Sequence, residues 1–373
     1  MGSRLAAALT LVVAAGCDRG DVAPPGSASA PPAASLAPVA RASAAPAAGG
    51  ASSAPAPVAP ATTCKGVTLG KLASLTARGG SFAGLAARAG SVYLLTAQQA
   101  AATATLTRVG RDGRSATVLG RSTGPGAVQG LALDDQAAYF VHGKRLVKVP
   151  LSGGEPVTLR TGVKWPLASS GGEVHYVACD LALKEDALMS LAPAGGEPRV
   201  RARWPRTGTS KDCHYGGLAV APVEAFVSDW TSRTVRAISL TDGSVRELAT
   251  QVAFPGRIDV EPAGVVFQAS AGLFRVAKTG GGAVKLSDYG ATPFNYLAWD
   301  ERRFYIFDAE AYGERHVLHE LPRDGGVSKE IEWFQVRDVT VGSGVADLAV
   351  DDSCIYLARD TGAFVELFAK PKP

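Results

Sequence analysis

The sequence is poor in the groups that most often carry catalysis or hold metals and nucleic acids. It has five histidines and five cysteines in 373 residues, no Cys-x-x-Cys pair, and no histidine at ligand spacing beside a cysteine, which argues against the common zinc frameworks. His142, His175, His214, His316 and His319 form no helical ligand pair, and on a strand His316 and His319 would face opposite sides. The formal charge is only +4, spread without a Lys/Arg run or an aromatic-basic stripe, so nucleic acid is not an expected partner. The apolar run at residues 5–15 is too short to span a bilayer. Asparagine occurs once, at Asn295, a bias of composition that says nothing about activity. Neither a metal nor a cofactor is expected.

The first residues read as an export signal. Arg4 supplies positive charge, Leu5 to Ala15 an apolar stretch, and Ala14-Ala15-Gly16 the small residues a signal peptidase requires, with Cys17 next. A small triplet ending in Gly before Cys resembles the bacterial lipoprotein cleavage box, although Ala14 stands where that family most often has Leu. The resemblance implies a signal peptide over 1–16 and a lipidated Cys17; the alternative is an ordinary secretory signal. Several acyl chains on one residue anchor a protein to a membrane without spanning it. The expected location is the bacterial cell envelope, at the inner or outer membrane. From Asp18 to Thr63 the chain is almost entirely Ala, Pro, Ser and Gly, so 17–63 reads as a disordered linker, extended at ~3 Å per residue where Pro-rich.

Residues 64–373 read as one all-β domain built on a repeat. Clear copies are Gly130-Leu131-Ala132-Leu133-Asp134-Asp135 followed by Ala138-Tyr139-Phe140-Val141, and Asp347-Leu348-Ala349-Val350-Asp351-Asp352 followed by Cys354-Ile355-Tyr356-Leu357. Second-strand centres fall at Tyr93, Tyr139, Tyr176, Phe226, Phe267, Tyr305 and Tyr356, and Gly-rich turns such as Gly153-Gly154 and Gly195-Gly196 separate third from fourth strands. The spacing predicts a seven-bladed β-propeller of four-stranded antiparallel blades, with six blades as the alternative. The seventh copy stops at Pro373 without its fourth strand, while Val67 to Leu75 is a strand without a blade. The N-terminal strand is therefore expected to complete the last blade.

Four cysteines remain after Cys17, and two disulfides are expected in an exported chain. Repeat position favours Cys179 with Cys213, and Cys64 with Cys354, among three possible pairings. The second pair would close nearly the whole domain, a constraint of ~4 to 5 kcal/mol on loop-closure entropy before strain.

Turn phrases such as Val149-Pro150-Leu151-Ser152-Gly153-Gly154-Glu155-Pro156, and the stretch from Ala225 to Ile238, resemble the TolB, NHL and YWTD groups of propellers. The resemblance speaks to fold more than to function. Asp180, Asp229, Asp308 and Asp360, closing second strands, are expected to cap hairpins. Gly120-Arg121-Ser122-Thr123-Gly124 spells a nucleophile elbow, but Pro125 and another strand follow where that motif requires a helix.

A propeller site normally gathers where loops enter the innermost strands. That places Gln129, Trp165, His214, Tyr215, Arg257, Asn295, Tyr296 and Asp347 near the channel rim, with Trp165 and Tyr215 offering stacking faces. Metal-dependent lactonase propellers are partly echoed by Asn295 and Asp347, but no Glu occupies a matching position. The sequence thus favours a monomeric, membrane-anchored module binding an envelope protein or glycan. Its rival is a channel-centred hydrolase or lactonase using Asp347 and His214.

Overall fold

The computed structural model describes residues 70–373 except 77–79, 99, 112, 114, 181–183, 207–213, 263, 290–294, 310–314, 336–345 and 361–363. The strands form seven four-stranded antiparallel sheets, and among the described residues there is no helix. The chain is a seven-bladed β-propeller, which removes the six-bladed alternative. Blades 1 to 6 are consecutive, at 80–123, 128–161, 167–205, 215–249, 258–287 and 295–335. Blade 7 is composite, in the order Gly70–Thr76, Phe364–Pro371, Cys354–Asp360, Ala346–Val350. The N-terminal strand pairs with the C-terminal one from Gly70 opposite Ala369 to Thr76 opposite Phe364.

Radial stacking explains why the second strands read as unbroken apolar runs. Each blade packs against a neighbour on both faces, so both sets of alternating side chains must be apolar. Every residue of Ala137–His142 and of Gly264–Ala269 is buried. The seven aromatic centres all lie in second strands and are all buried. The outer strand Val157–Thr161 is exposed or half-buried throughout. Among the described residues the buried apolar side chains divide into seven clusters, one at each interface between blades. The cluster at the ring closure joins Phe82, Leu85 and Leu94 of blade 1 to Tyr356, Val365 and Leu367 of blade 7.

A brace recurs in three blades. Asp134, at the turn after the first strand of blade 2, accepts the amides of Gln136 (2.8 Å) and Ala137 (2.7 Å), and the Tyr139 hydroxyl at 2.6 Å. Asp300 holds the amides of Arg302 and Arg303 and the Tyr305 hydroxyl in the same way, as Asp351 holds Ser353, Cys354 and Tyr356. The phrase is Asp followed five residues later by Tyr. Neighbouring blades use the same carboxylates: Lys372 lies 2.6 Å from Asp300, and Arg111 donates to Asp351 at 2.9 Å. Of the aspartates expected to cap hairpins, Asp229 does so, accepting the amides of Thr231 and Ser232 at 2.8 and 3.1 Å. Asp360 also reaches across the ring closure to the Phe82 amide at 3.1 Å.

Candidate functional site: the channel and its mouth

First strands line the axis, and a cavity of about 1030 Å³ runs among them, bordered by Gln129, Trp165, Arg257, Trp299 and Asp347. A second cavity of about 690 Å³ opens on the face where the chain enters the first strands, between blades 2, 3 and 4. Its border includes Gln129, Lys144, Lys164, Trp165, His214 and Trp230. Gln129 and Trp165 border both, so Trp165 stands where mouth meets channel.

Two glycines make this arrangement possible. The pairing of first and second strands in blade 2 shifts register between Gln129 and Ala132, and Gly130 in that bulge has φ of 66°. A Cβ there would collide with the Trp165 indole. In blade 4 the register shifts between Tyr215 and Gly217, and a Cβ on Gly216 would collide with the Pro255 carbonyl and Trp230 Nε1. Trp230 Nε1 donates to that Pro255 carbonyl at 2.5 Å, and the Trp230 amide donates to the His214 carbonyl at 2.8 Å. The indole of Trp230 is 43% exposed, and Phe254 meets it edge-on at 6.3 Å while 63% exposed itself.

The ionic centre of the channel is a staple. Arg257, entering blade 5, donates to the Leu297 carbonyl of blade 6 at 2.7 Å and to the Asp347 carboxylate of blade 7. Asp347 also accepts the Leu85 amide of blade 1 at 3.3 Å and the Leu348 amide at 2.9 Å. Four blades are joined through two side chains, and the Asp347 carboxylate is occupied by donors. His214 borders the mouth while Asp347 borders the channel, so the two proposed acid-base partners do not share a cavity.

The remaining rim residues take other places. Tyr215 borders the mouth but is 4% exposed, and its hydroxyl donates to Asp186 at 2.5 Å between blades 3 and 4. Burial first, then this bond to a carboxylate, hold the phenol far above its ordinary pKa. Its ring meets Trp204 edge-on at 6.5 Å, so it is a packing residue whose faces are not presented for stacking. Tyr296 packs, half-buried, against the interface of blades 6 and 7 and borders neither cavity. Asn295 begins the first strand of blade 6, and its side chain lies outside what is described. Sequence reasoning missed Lys144, Lys164, Trp230 and Phe254. Lys144 and Trp230 lie on hairpins joining second to third strands, which emerge on the same face as the segments entering first strands, and Lys164 and Phe254 lie on those entering segments beside the residues chosen.

Ser122 of the elbow-like phrase lies on the outer strand Ala116–Thr123, leading into a turn and another strand. Its Oγ is 3.0 Å from His142 Nδ1, with both residues buried, and it borders neither cavity. The pair ties blade 1 to blade 2; burial, then Arg145, push the imidazole below its usual pKa. Among the described residues no group of three or more His, Cys, Asp or Glu side chains is placed to hold a metal ion. Cys179 and Cys354 each carry a disulfide bond. Cys17, Cys64 and Cys213 lie outside the described residues, and the pairing with them.

No protein-family model matches the chain, and no curated protein matches it in sequence. Solved structures match in fold. The computationally designed Ika8 protein aligns with TM-score 0.51 and 12% identity over 80% of this chain and 99% of its own. BamB from Moraxella catarrhalis aligns with TM-score 0.48 and 13% identity over 82% and 98% of the two chains. A chain of the nidogen/laminin complex aligns with TM-score 0.43 and 13% identity over 53% and 76%. At these identities the likeness concerns fold.

Proposed function

We propose that this chain is an exported, lipid-anchored binding module whose propeller takes a protein or a glycan at the mouth of its channel. The observation that carries the binding reading is the aromatic face of the mouth. Trp165 borders the pocket, and Trp230 and Phe254 stand exposed beside it, each held by backbone that only glycine or left-handed geometry accommodates. Exposed aromatics fixed in place lose little conformational entropy on binding. The hydrolase reading is weaker because the carboxylate it needs is engaged by Arg257 and two backbone amides. The anchored, envelope-facing location rests on Arg4, the apolar run from Leu5 and the small residues before Cys17, with 17–63 as tether.

A photo-crosslinking residue placed at Trp230 should capture a partner from the native envelope, and the same residue at Val327, on the opposite face, should not. Equal capture at both positions would remove the mouth as the binding site. Cys17→Ser should abolish membrane anchoring or leave an unprocessed precursor; unchanged fractionation and mass would remove the lipoprotein reading.

A further inference from the structure

Beside the mouth lies a buried histidine. His142 ends the second strand of blade 2 and is 1% exposed. Its Nδ1 lies 3.0 Å from Ser122 Oγ of blade 1 and 3.5 Å from Arg145 Nη2, across its own hairpin. A guanidinium accepts no hydrogen bond, so the Nδ1 it approaches carries a lone pair, and the neutral ring holds its proton on Nε2. The same Nη2 donates to the Thr123 carbonyl at 2.7 Å, so His142 and Arg145 together clamp the end of the outer strand of blade 1.

That clamp stands at the base of the mouth wall. The loop from Gly124 to Ala127 follows Thr123 directly, and its backbone touches the hairpin. A Cβ on Gly126 would collide with the Gly143 Cα, and one on Gly143 with the Pro125 carbonyl. The Gly143 amide donates to the Ala127 carbonyl at 2.9 Å, and the Lys144 carbonyl accepts the Val163 amide at 2.9 Å. Loop, hairpin and the connection to blade 3 are thus stacked three deep. Pro125, Gly126, Ala127, Gly143, Lys144 and Val163 all border the cavity of about 690 Å³.

Protonation works against this stack. It places an N–H on Nδ1 against the Arg145 guanidinium, donor facing donor and cation facing cation. The described elements around the ring bring no carboxylate to offset it. Its own hairpin carries exposed Lys144 and half-buried Arg145, the outer strand of blade 1 carries exposed Arg121, and residues 96–107 and 124–133 contain no ionisable side chain. Burial first, and then Arg145, hold the imidazole below its usual pKa, outweighing the Gly124 backbone, which favours the charged form. Parting the hairpin from the loop relieves the opposition, because Arg145 can then turn to solvent.

We propose that His142 is an acid-sensitive latch on the mouth: neutral, it holds the loop entering blade 2 against the hairpin over the pocket, and protonated, it lets the two part. Acid then opens the site and releases what it holds. The inference rests on the binding reading given above and adds the regulation of that site.

The test follows amide hydrogen exchange of the purified full chain at pH 7.5 and pH 5, expressed as protection factors, which remove the intrinsic pH dependence of exchange. Protection of the Gly143 and Val163 amides should fall at least tenfold on acidification. That of Gln268 in blade 5, bonded to the Arg257 carbonyl, should change less than twofold. His142→Gln, which keeps an acceptor for Ser122 and takes up no proton, should abolish the fall. Arg145→Met, which keeps the aliphatic stem and removes the opposing cation, should shrink it at least threefold. Equal protection at both pH values, or an equal fall at Gln268, would overturn the latch, as would a parental response in His142→Gln. If His142→Gln does not fold, Arg145→Met decides alone, and an undiminished fall overturns the latch. Photo-crosslinking at position 230 in native envelopes separates the latch from the binding reading. A fivefold or greater drop in adducts from pH 7.5 to pH 5 supports the regulation, and equal yields while the amides respond would overturn it. No adduct at either pH would remove the binding reading and leave the latch standing on the exchange data.

Discussion

Arg257 and Asp347 stand 90 residues apart in sequence and meet in the channel, the guanidinium of blade 5 on the carboxylate of blade 7. The pair spans blade 6 through the Leu297 carbonyl and reaches blade 1 through the Leu85 amide. Truncating Asp347 strands two backbone amides in a buried place, whereas truncating Arg257 removes a cation that is 40% exposed. Asp347→Ala should therefore cost about 2–4 kcal/mol and Arg257→Ala about 1–2 kcal/mol, allowing for solvent screening of the partly exposed ion pair. Denaturation midpoints of the two variants check the order; a larger loss for Arg257→Ala would mean that the carboxylate is held mainly by charge.

The composite seventh blade makes two truncations differ. Removing residues 18–60 should leave the melting temperature within a few degrees, since that stretch of Ala, Pro and Ser offers little apolar surface to bury. Removing residues through Leu75 deletes most of the strand on Phe364–Pro371 and opens an unpaired edge beside buried Val365 and Leu367. That variant should melt far lower and aggregate. Equal melts for both would contradict the pairing.

Acid should weaken the fold in two stages. Burial lowers the pKa of His142 and His175 below 6.5, so the stability present above pH 6.5 is lost as pH falls through their folded values and the unfolded chain takes up protons first. Burial acts to raise Asp134, Asp300 and Asp351, but their hydrogen bonds outweigh it and hold all three below 3.8, so a second loss follows below that pH. Asp186 and Asp259, raised mainly by burial, act in the opposite sense above 3.8, which makes variant differences the cleanest reading. Tyr305→Phe removes a donor to Asp300 and should shrink the lower-pH loss relative to the parent in urea titrations run from pH 8 to pH 2.5; an unchanged profile would show that the hydroxyl does not hold the carboxylate.

Gly216→Ala should act on the mouth through Trp230. The added methyl would collide with the Pro255 carbonyl and the indole nitrogen, neither of which is a flexible side-chain end. Overpacking of this kind costs about 1–3 kcal/mol. The expected signature is a lower melt together with a shifted tryptophan emission. Unchanged emission would mean that the indole is not fixed by its approach to this glycine.

The repeat itself was legible in the sequence because each blade solves the same local problem. A strand buried on both faces reads as a nearly continuous apolar run, as in Ala137 to Val141, and a tight turn into an outer strand needs positive φ, as at Gly153 and Gly154. The surplus strand near Gly70 and the missing one after Pro371 were legible for the same reason, since an unpaired edge needs a partner. The Asp-to-Tyr brace was also present as a five-residue spacing, at Asp134 and Tyr139 and again at Asp351 and Tyr356, although sequence reasoning assigned the turn-capping aspartates to the ends of second strands instead.

Only the tertiary structure decided which side chains meet around the axis. Tyr215 and Trp165 look alike as rim aromatics, yet the Tyr215 hydroxyl finds buried Asp186 and turns inward, while Trp165 is set against Gly130 and borders both cavities. Trp230 and Lys144, on hairpins of blades 4 and 2, and Phe254, on the connection from blade 4 to blade 5, meet at the mouth because those loops converge on one face, and the Arg257–Asp347 staple forms because blades 5 and 7 flank blade 6. Local sequence determines the blade, through period and turn chemistry. Contacts between blades depend on closure of the ring, which brings together residues that no local spacing relates.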